Sequence, residues 1–413
     1  VAEGYACRAG WRGRIEKERK RKKDKNMLAA DRMKQFESGI FQLLNDKKNE
    51  VEKAGKKVYN LSVGTPDFKP APHIVEAVAE AAKKPENYKY ALADIPELIK
   101  AVQERFAKRY DVILEADEIM SVYGSQEGIS HIGLSLFNEG DLVLVPDPGY
   151  PVFSIGPFLA GADVECYELL PENNYLPDLD ALSEKYGNKI KCMIVSYPLN
   201  PICKCAPHEF YEKLIAWAKK NDILIIHDNA YSDIIYDGRK GISILSVPGA
   251  KDCAVEFYSL SKSFNYTGAR MSFLVGNKEV VATFKKLRSQ IDYGIFLPIQ
   301  YGAVAALTGP DDCVKEQRAK YEERRNALCD GLTSIGWKVE RSEGTMFAWA
   351  KIPDAYTDDF AFVMELLEKT GVLCTPGSSF GKLGAGHVRF ALTLPVETIN
   401  EAVEAIDKSG ILK

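Results

Sequence analysis

Apolar residues recur along this chain with two different periods. Over 29–54 they fall on one helical face, at Met33, Phe36, Ile40, Phe41 and Leu44, and Gly55 supplies the stop. The stretches 72–84 and 96–110, each with a proline near its start, repeat the helical pattern. From 119 onward, short runs that are apolar throughout alternate with amphipathic ones. The runs at 119–123, 141–146, 164–168, 191–197, 223–227, 254–257 and 271–275 read as strands. Those at 124–137, 149–161, 178–185 and 209–220 read as the helices between them. Strands with no polar face, joined by helices, predict an α/β fold: a mostly parallel sheet covered by helices on both faces.

The pattern then changes. The segment 278–307 is helical but broken by Gly294 and Pro298, and 314–335 is a second long helix. Beyond it, 337–340, 346–352, 372–374 and 387–392 read as strands of a separate sheet, with helices at 359–370 and 396–407. The expected organisation is a large ligand-binding domain over 72–313 and a smaller α+β domain over 314–413. The segment 27–71 is expected to pack on the small domain.

Composition changes this picture little. Of 413 residues, 46% are hydrophobic and 27% charged, ordinary for a globular protein. A net charge of -4 gives no global attraction to nucleic acid or an anionic membrane. No apolar run approaches the roughly 18 residues of a membrane span. The nine cysteines are scattered, with no disulfide framework and no zinc spacing, so reduced thiols and a cytoplasmic setting are expected, with no metal. The first 26 residues include a dense charge block, Glu16-Lys-Glu-Arg-Lys-Arg-Lys-Lys-Asp-Lys25, with no apolar face. It reads as a disordered basic tail or as a mistranslated leader with Met27 as the true start.

The candidate chemistry centres on Tyr258-Ser-Leu-Ser-Lys-Ser-Phe-Asn-Tyr-Thr-Gly-Ala-Arg270, directly after an apolar strand. Lys262 lies between Leu260 and Phe264 with no acidic neighbour in the run. A lysine in a partly apolar place loses solvation of its charged form, and its free amine attacks carbonyls. Ser259, Ser261 and Arg270 are donors suited to a phosphate. Gly124-Ser-Gln-Glu-Gly128 opens a helix, and a helix N-terminus offers amides to an anion. It is neither a dinucleotide fingerprint nor a Walker loop. Ser125, Asn200, Asp228 and Lys262 all stand at or just after predicted strand ends, the usual ligand side of such a sheet. Together they suit a cofactor with an aldehyde, a phosphate, a ring nitrogen and a phenolic oxygen. Lys262 takes the aldehyde, Asp228 the ring nitrogen, and Asn200 and Tyr231 the phenolic oxygen, while Tyr150 stacks on the ring.

These residues sit in motifs that resemble the class I/II aminotransferases, pyridoxal 5'-phosphate enzymes of fold type I. The motifs are Gly64-Thr-Pro-Asp67, Gly124-Ser-Gln126, Asp147-Pro-Gly-Tyr-Pro151, Tyr197-Pro-Leu-Asn-Pro201, Asp228-Asn-Ala-Tyr231, Ser259-Leu-Ser-Lys262 with Arg270, and Val388-Arg389. They run in family order over nearly all of the chain after Met27. The resemblance implies an aspartate-aminotransferase-like fold and transfer of an amino group between an amino acid and a 2-oxo acid. It makes Lys262 the catalytic base and Arg389 the partner of the substrate carboxylate. It gives Ser259, Arg270, Ser125 and the backbone at Gln126 to the phosphate, and it places Gly64 and Asn200 beside the substrate. It also implies a homodimer with shared active sites, in which Tyr90 (or Tyr88) reaches the partner's phosphate. Tyr293 and Phe296 line the side-chain pocket.

Three places depart from the family pattern. Asp94 stands where a glycine is usual, Asn200-Pro-Ile-Cys203 replaces Asn-Pro-Thr-Gly, and the run 291–298 lacks the arginine that dicarboxylate-specific enzymes often add. The flanking segments look most like the LL-diaminopimelate aminotransferase branch and its alanine- and aspartate-using relatives. Candidate donors are thus glutamate, alanine, aspartate and LL-diaminopimelate. The rival reading on the same fold is a carbon–sulfur beta-lyase. A non-catalytic DNA-binding regulator is expected to carry a helix–turn–helix module before the aminotransferase-like part, where this sequence shows a short charged tail before Met27.

Overall fold

The structure, a computed structural model, describes residues 30–36 and 40–412. The charge block and the reading of residues 1–26 lie outside the described residues. The strands, in chain order, are β1 (Tyr59–Asn60), β2 (Ile119–Val122), β3 (Leu142–Asp147), β4 (Asp163–Glu168), β5 (Ile190–Ser196), β6 (Leu224–Asp228), β7 (Ala254–Ser259), β8 (Ser272–Gly276), β9 (Phe347–Lys351), β10 (Val372–Leu373), β11 (Thr375–Pro376) and β12 (His387–Ala391).

Seven of them form one sheet, in the order β2-β8-β7-β6-β5-β3-β4. All its pairings are parallel except those of β8, which runs antiparallel to both β2 and β7. The sheet is buried on both sides, as the unbroken apolar strands require. Ile226, Val255, Phe257 and Leu274 pack with Ile129, Ile132 and Phe153. Their strand neighbours Ile225, Tyr258 and Phe273 belong to the other layer, with Phe106, Tyr211 and Leu214. Because the parallel strands run the same way, β5, β6 and β7 deliver their following loops to one edge.

A second sheet is antiparallel, in the order β11-β12-β9, and β1 pairs with β10. The helix Asp312–Ser334 links the two parts of the molecule. Its Arg324 makes a two-pronged ion pair with Asp67, at 2.7 and 2.8 Å, and covers Phe68 at 4.5 Å. Its Gln317 donates to the backbone oxygen of Lys262 at 2.7 Å. Among the described residues, no helix is long and apolar enough to cross a membrane.

Three expectations are corrected. The single helix over 29–54 is a 3-10 turn, Asp31–Gln35, and a separate α-helix, Ile40–Lys53. Ser38 and Gly39, both weak helix formers, stand between them, and Met33 is exposed rather than part of a buried stripe. The segment 337–340 is not a strand. Trp337 N bonds to Leu332 O and Val339 N to Thr333 Oγ1, so the backbone is satisfied by the preceding helix end instead of a sheet neighbour. Cys166 is disulfide-bonded, whereas Cys192, Cys203, Cys205, Cys253, Cys313, Cys329 and Cys374 are free thiols as expected.

Candidate active site

Lys262 lies in the short helix Leu260–Ser263 that directly follows β7. Its Nζ donates to the carbonyl oxygen of Gly64 at 2.6 Å. Burial pushes its pKa down to about 8, and the positive charges of Arg389 and Arg270 push the same way. Among the described residues no carboxylate offsets them, so near neutral pH about a tenth of this amine is uncharged and nucleophilic.

Asp228 ends β6 and is 9% exposed. Burial raises its pKa to about 6, and its Oδ1 is fully buried without a hydrogen-bond partner. A buried acceptor with no donor is costly, so this oxygen is aimed at a donor the chain itself does not supply.

The loop after β2 supplies an anion cradle. Gly124, at φ +89°, precedes the helix Ser125–Leu136. A Cβ on Gly124 would lie 2.2 Å from Nη2 of Arg270, so only glycine lets the guanidinium sit against this helix N-terminus. Arg270 itself takes a left-handed φ of +56°, and its Nη1 donates to Thr267 O at 2.9 Å. Ser125 Oγ is buried without a partner. Ser259 Oγ accepts from Ser261 N at 3.1 Å and from Ser272 Oγ at 2.9 Å, leaving its own proton free to donate outward. Tyr150 lies beside this cradle, its hydroxyl donating to Gln126 Oε1 at 3.0 Å.

Arg389 comes from β12 and is 4% exposed. Its Nη1 donates to Asn200 Oδ1 at 2.8 Å, and its Nε has no partner. Phe347 and Phe380 flank the guanidinium, with ring centres at 4.0 and 4.5 Å. Burial lowers its pKa to about 10, and among the described residues no carboxylate forms an ion pair with it. An unpaired buried arginine between two aromatic faces is a receptor for a carboxylate. Tyr231 is buried nearby, its hydroxyl within the fields of Arg389 and Asp228. Gly64 is pressed against Phe347, which a Cβ would meet at 2.8 Å.

The fold thus gathers Lys262, Asp228, Asn200, Tyr231, Tyr150, Ser125, Gln126, Ser259, Ser261, Arg270 and Gly64 around the ends of β2, β5, β6 and β7, with Arg389 reaching in from the middle of β12. Tyr90 and Tyr293 meet each other instead, with rings 5.0 Å apart at the surface, 77% and 55% exposed. Tyr88 stacks edge-on against Phe296 at 5.2 Å in the same way.

Phe347 and Phe380 are contributors that sequence reasoning missed. Their signal was weak, because an aromatic in a strand or turn reads first as core. The departure at Asp94 also finds a use: its carboxylate accepts from both the backbone N and the hydroxyl of Ser121, anchoring β2 near the end that leads into the cradle. Cys203, which replaces the usual glycine, keeps the left-handed backbone at φ +66° and accepts a hydrogen bond from Thr345 Oγ1 at 3.2 Å.

A nucleophilic lysine, an anion cradle, a buried unpaired carboxylate and a buried unpaired arginine, all on the ligand side of a seven-stranded α/β sheet, define an enzyme of group transfer. Residues 56–406 match the family model described as aminotransferase class I and II, and the chain belongs to that family. It is 42% identical over 379 residues to an LL-diaminopimelate aminotransferase of Aquifex aeolicus, covering 91% of this chain and 98% of that one. It is 40% identical over 372 residues to the glutamate-pyruvate aminotransferase AlaC of Escherichia coli, covering 89% and 90%. Its fold superposes on substrate-bound BacF of Bacillus subtilis with a TM-score of 0.88 and 34% identity, covering 92% and 97%.

Proposed function

We propose that the site binds pyridoxal 5'-phosphate and that the protein moves an amino group between an amino acid and a 2-oxo acid. The observation that carries this reading is a set of buried polar atoms without partners, Asp228 Oδ1, Ser125 Oγ and Arg389 Nε, around a lysine of lowered pKa. They fit the cofactor group by group. Ser125, Ser259, Arg270 and the amide of Gln126 suit its phosphate, and Asp228 its ring nitrogen. Asn200 and Tyr231 suit its phenolic oxygen, and Lys262 its aldehyde. When bound, the cofactor supplies an electron sink for charge that develops on the substrate's alpha carbon. Arg389 grips the substrate carboxylate and so presents the alpha C–H to Lys262. Nζ takes that proton as a general base and can steady its charge against Gly64 O. Phe347 and Phe380 keep water from Arg389.

Among donors, LL-diaminopimelate and the glutamate–alanine pair come first, because the similar relatives carry those activities in their names. The absence of an arginine in 291–298 speaks against an aspartate enzyme that draws a second arginine from that run. The exposed apolar group of Tyr88, Tyr90, Leu92, Ile291, Tyr293 and Phe296 supports a homodimer with sites shared between subunits. The pairing of β1 with β10, and the packing of helix Ile40–Lys53 on helix Asp359–Thr370, support a division in which 27–71 joins a small domain over 314–413, beside a large one over 72–313.

The test is to follow the visible band of the loaded protein while adding single amino acids. Loss of the band with one donor and its return with a 2-oxo acid establishes transamination and names the donor. Release of ammonia and pyruvate from cysteine or cystathionine without any oxo acid would establish a beta-lyase instead. Failure of the protein to take up the cofactor would refute the whole assignment.

A further inference from the structure

The helix Asp312–Ser334 carries three side chains, Gln317, Tyr321 and Arg324, that the reaction as described does not use. Their spacing of four and three residues puts them on one helical face, and all three are buried. That face meets three separate parts of the candidate site. Gln317 Nε2 donates to the backbone oxygen of Lys262 at 2.7 Å. Arg324 holds Asp67, in the turn that begins at Gly64, through both of its Nη atoms. Arg324 Nη1 also donates to Leu392 O at 3.0 Å, just past the end of β12, the strand that carries Arg389. Tyr321 stands between the two, its ring 5.0 Å from that of Phe68.

These contacts form a closed circuit. Lys262 Nζ donates to Gly64 O at 2.6 Å. The backbone runs from Gly64 to Asp67, and Asp67 pairs with Arg324. The helix runs back to Gln317, which bonds to Lys262 O. Gln317 and Arg324 stand about 10 Å apart along the axis, a spacing that the helix's own hydrogen bonds hold fixed. The orientation of the Gln317 amide is settled by its partners. Lys262 O can only accept, so Nε2 faces it, and Oε1 accepts from Asn265 Nδ2 at 2.9 Å. Asn265 Nδ2 also donates to Lys69 O at 3.4 Å, a second tie between the lysine's segment and the turn after Gly64. A glutamine that merely satisfied the open carbonyl at the end of the short helix Leu260–Ser263 would act at one point. Here one rigid face holds both the backbone from which the lysine side chain starts and the turn on which its amine rests.

We propose that this buried helix face sets the register between the amine of Lys262 and the carboxylate receptor Arg389, with Gln317 and Arg324 as positioning residues. The inference rests on the reading of Lys262 as the general base. Gln317 fixes where the lysine side chain begins. Arg324 fixes the turn that receives its amine and the exit of the strand that presents Arg389. When the circuit is opened, the amine keeps its chemistry and loses its place. The grip of Arg389 on the substrate carboxylate is left intact, so the loss falls on the proton transfer and not on binding.

The experiment compares Gln317→Met, Asp67→Ala and the double variant, which open the circuit at opposite ends, with circular dichroism confirming the fold. In the loaded enzyme each single variant should lower kcat by about 10- to 100-fold, the cost of a reacting group displaced by about 1 Å, with KM for the donor nearly unchanged. A donor deuterated at the alpha carbon should slow both variants more than the wild type, because proton transfer to the amine has become the slow step. In the unloaded protein, acylation of Lys262 at pH 7 should be about fivefold faster in both, as the amine loses one ordinary hydrogen bond to Gly64 O. The double variant should go no further than the worse single one, since one break already opens the circuit. Additive effects in the double variant would overturn the proposal, and so would a folded Gln317→Met with wild-type kcat and acylation. If Gln317→Met does not fold, Asp67→Ala carries the test, and a loss of kcat there with an unchanged isotope effect would overturn it. The acylation readout needs neither cofactor nor donor. If it follows the expected pattern in a protein that transaminates nothing, the failure lies in the proposed function and not in the register.

Discussion

Replacing Arg389 with methionine should separate activity from stability. Burial pushes Arg389 from the ordinary guanidinium range down to about 10. For a cation, a lowered pKa means that the fold disfavours the charged form, and below pH 10 that cost is present in full. At about 1.4 kcal/mol per decade it amounts to about 3 kcal/mol. Methionine, similar in length and uncharged, recovers this term. Against it stand the lost bond to Asn200 Oδ1, roughly 1–3 kcal/mol, and the two ring contacts, roughly 1–2 kcal/mol together. These nearly cancel, so the variant should unfold within about 2 kcal/mol of the wild type. Activity has no such compensation. Two charge-assisted bonds to a substrate carboxylate, about 1.5–3 kcal/mol each, predict a fall in kcat/KM of about 10²- to 10⁴-fold. Chemical denaturation of the unloaded protein and steady-state kinetics with the identified donor measure the two halves. A kcat/KM within tenfold of the wild type would refute the carboxylate role. A loss of stability well beyond about 3 kcal/mol would show that the arginine is structural.

The remaining predictions follow from neighbouring geometry. Because burial, Arg389 and Arg270 hold Lys262 near 8, labelling of its amine by an acylating reagent should rise with pH through about 8, and the midpoint should move upward in Arg389→Met. Asp67→Ala breaks the two-pronged pair that ties the Gly64 turn to the helix Asp312–Ser334. Asp67 is one-third exposed and Arg324 nearly buried, so a loss of about 1–3 kcal/mol in urea unfolding is expected, with a lower kcat. Paired substitutions Tyr90→Asp and Tyr293→Asp place charge on the exposed aromatic group. If the proposed dimer forms through this surface, light scattering should show a shift to monomer, and an unchanged mass would remove that surface as the interface.

Much of this protein was legible before folding was considered. Wholly apolar runs alternating with amphipathic ones cannot be satisfied except by a sheet covered on both faces, so the α/β layering follows from hydrophobic burial alone. Candidate site residues could be named because strand ends on one edge of such a sheet are where ligands bind, and Asp228, Asn200 and Lys262 each stand at or just beyond such an end. Local sequence also misled. The stripe over 29–54 has helical spacing on both sides of Ser38 and Gly39, and Trp337 and Val339 look like a strand. Whether a short apolar run joins a sheet depends on a hydrogen-bonding neighbour, and here the preceding helix takes that place.

Other features exist only in three dimensions. Arg389 and Asn200 are 189 residues apart and meet at 2.8 Å, and Phe347 and Phe380 flank the same guanidinium from separate segments. Lys262 is ordinary in sequence. Its lowered pKa arises because folding removes water from it and brings two arginines, but no carboxylate, into its field. His227 and Glu256 look like unrelated strand residues until the register of β6 and β7 sets them side by side. Periodicity reports which face of an element is buried, and that much is local. Charge and hydrogen-bond partnership depend on what the rest of the chain brings to that face, and only the tertiary structure decides it.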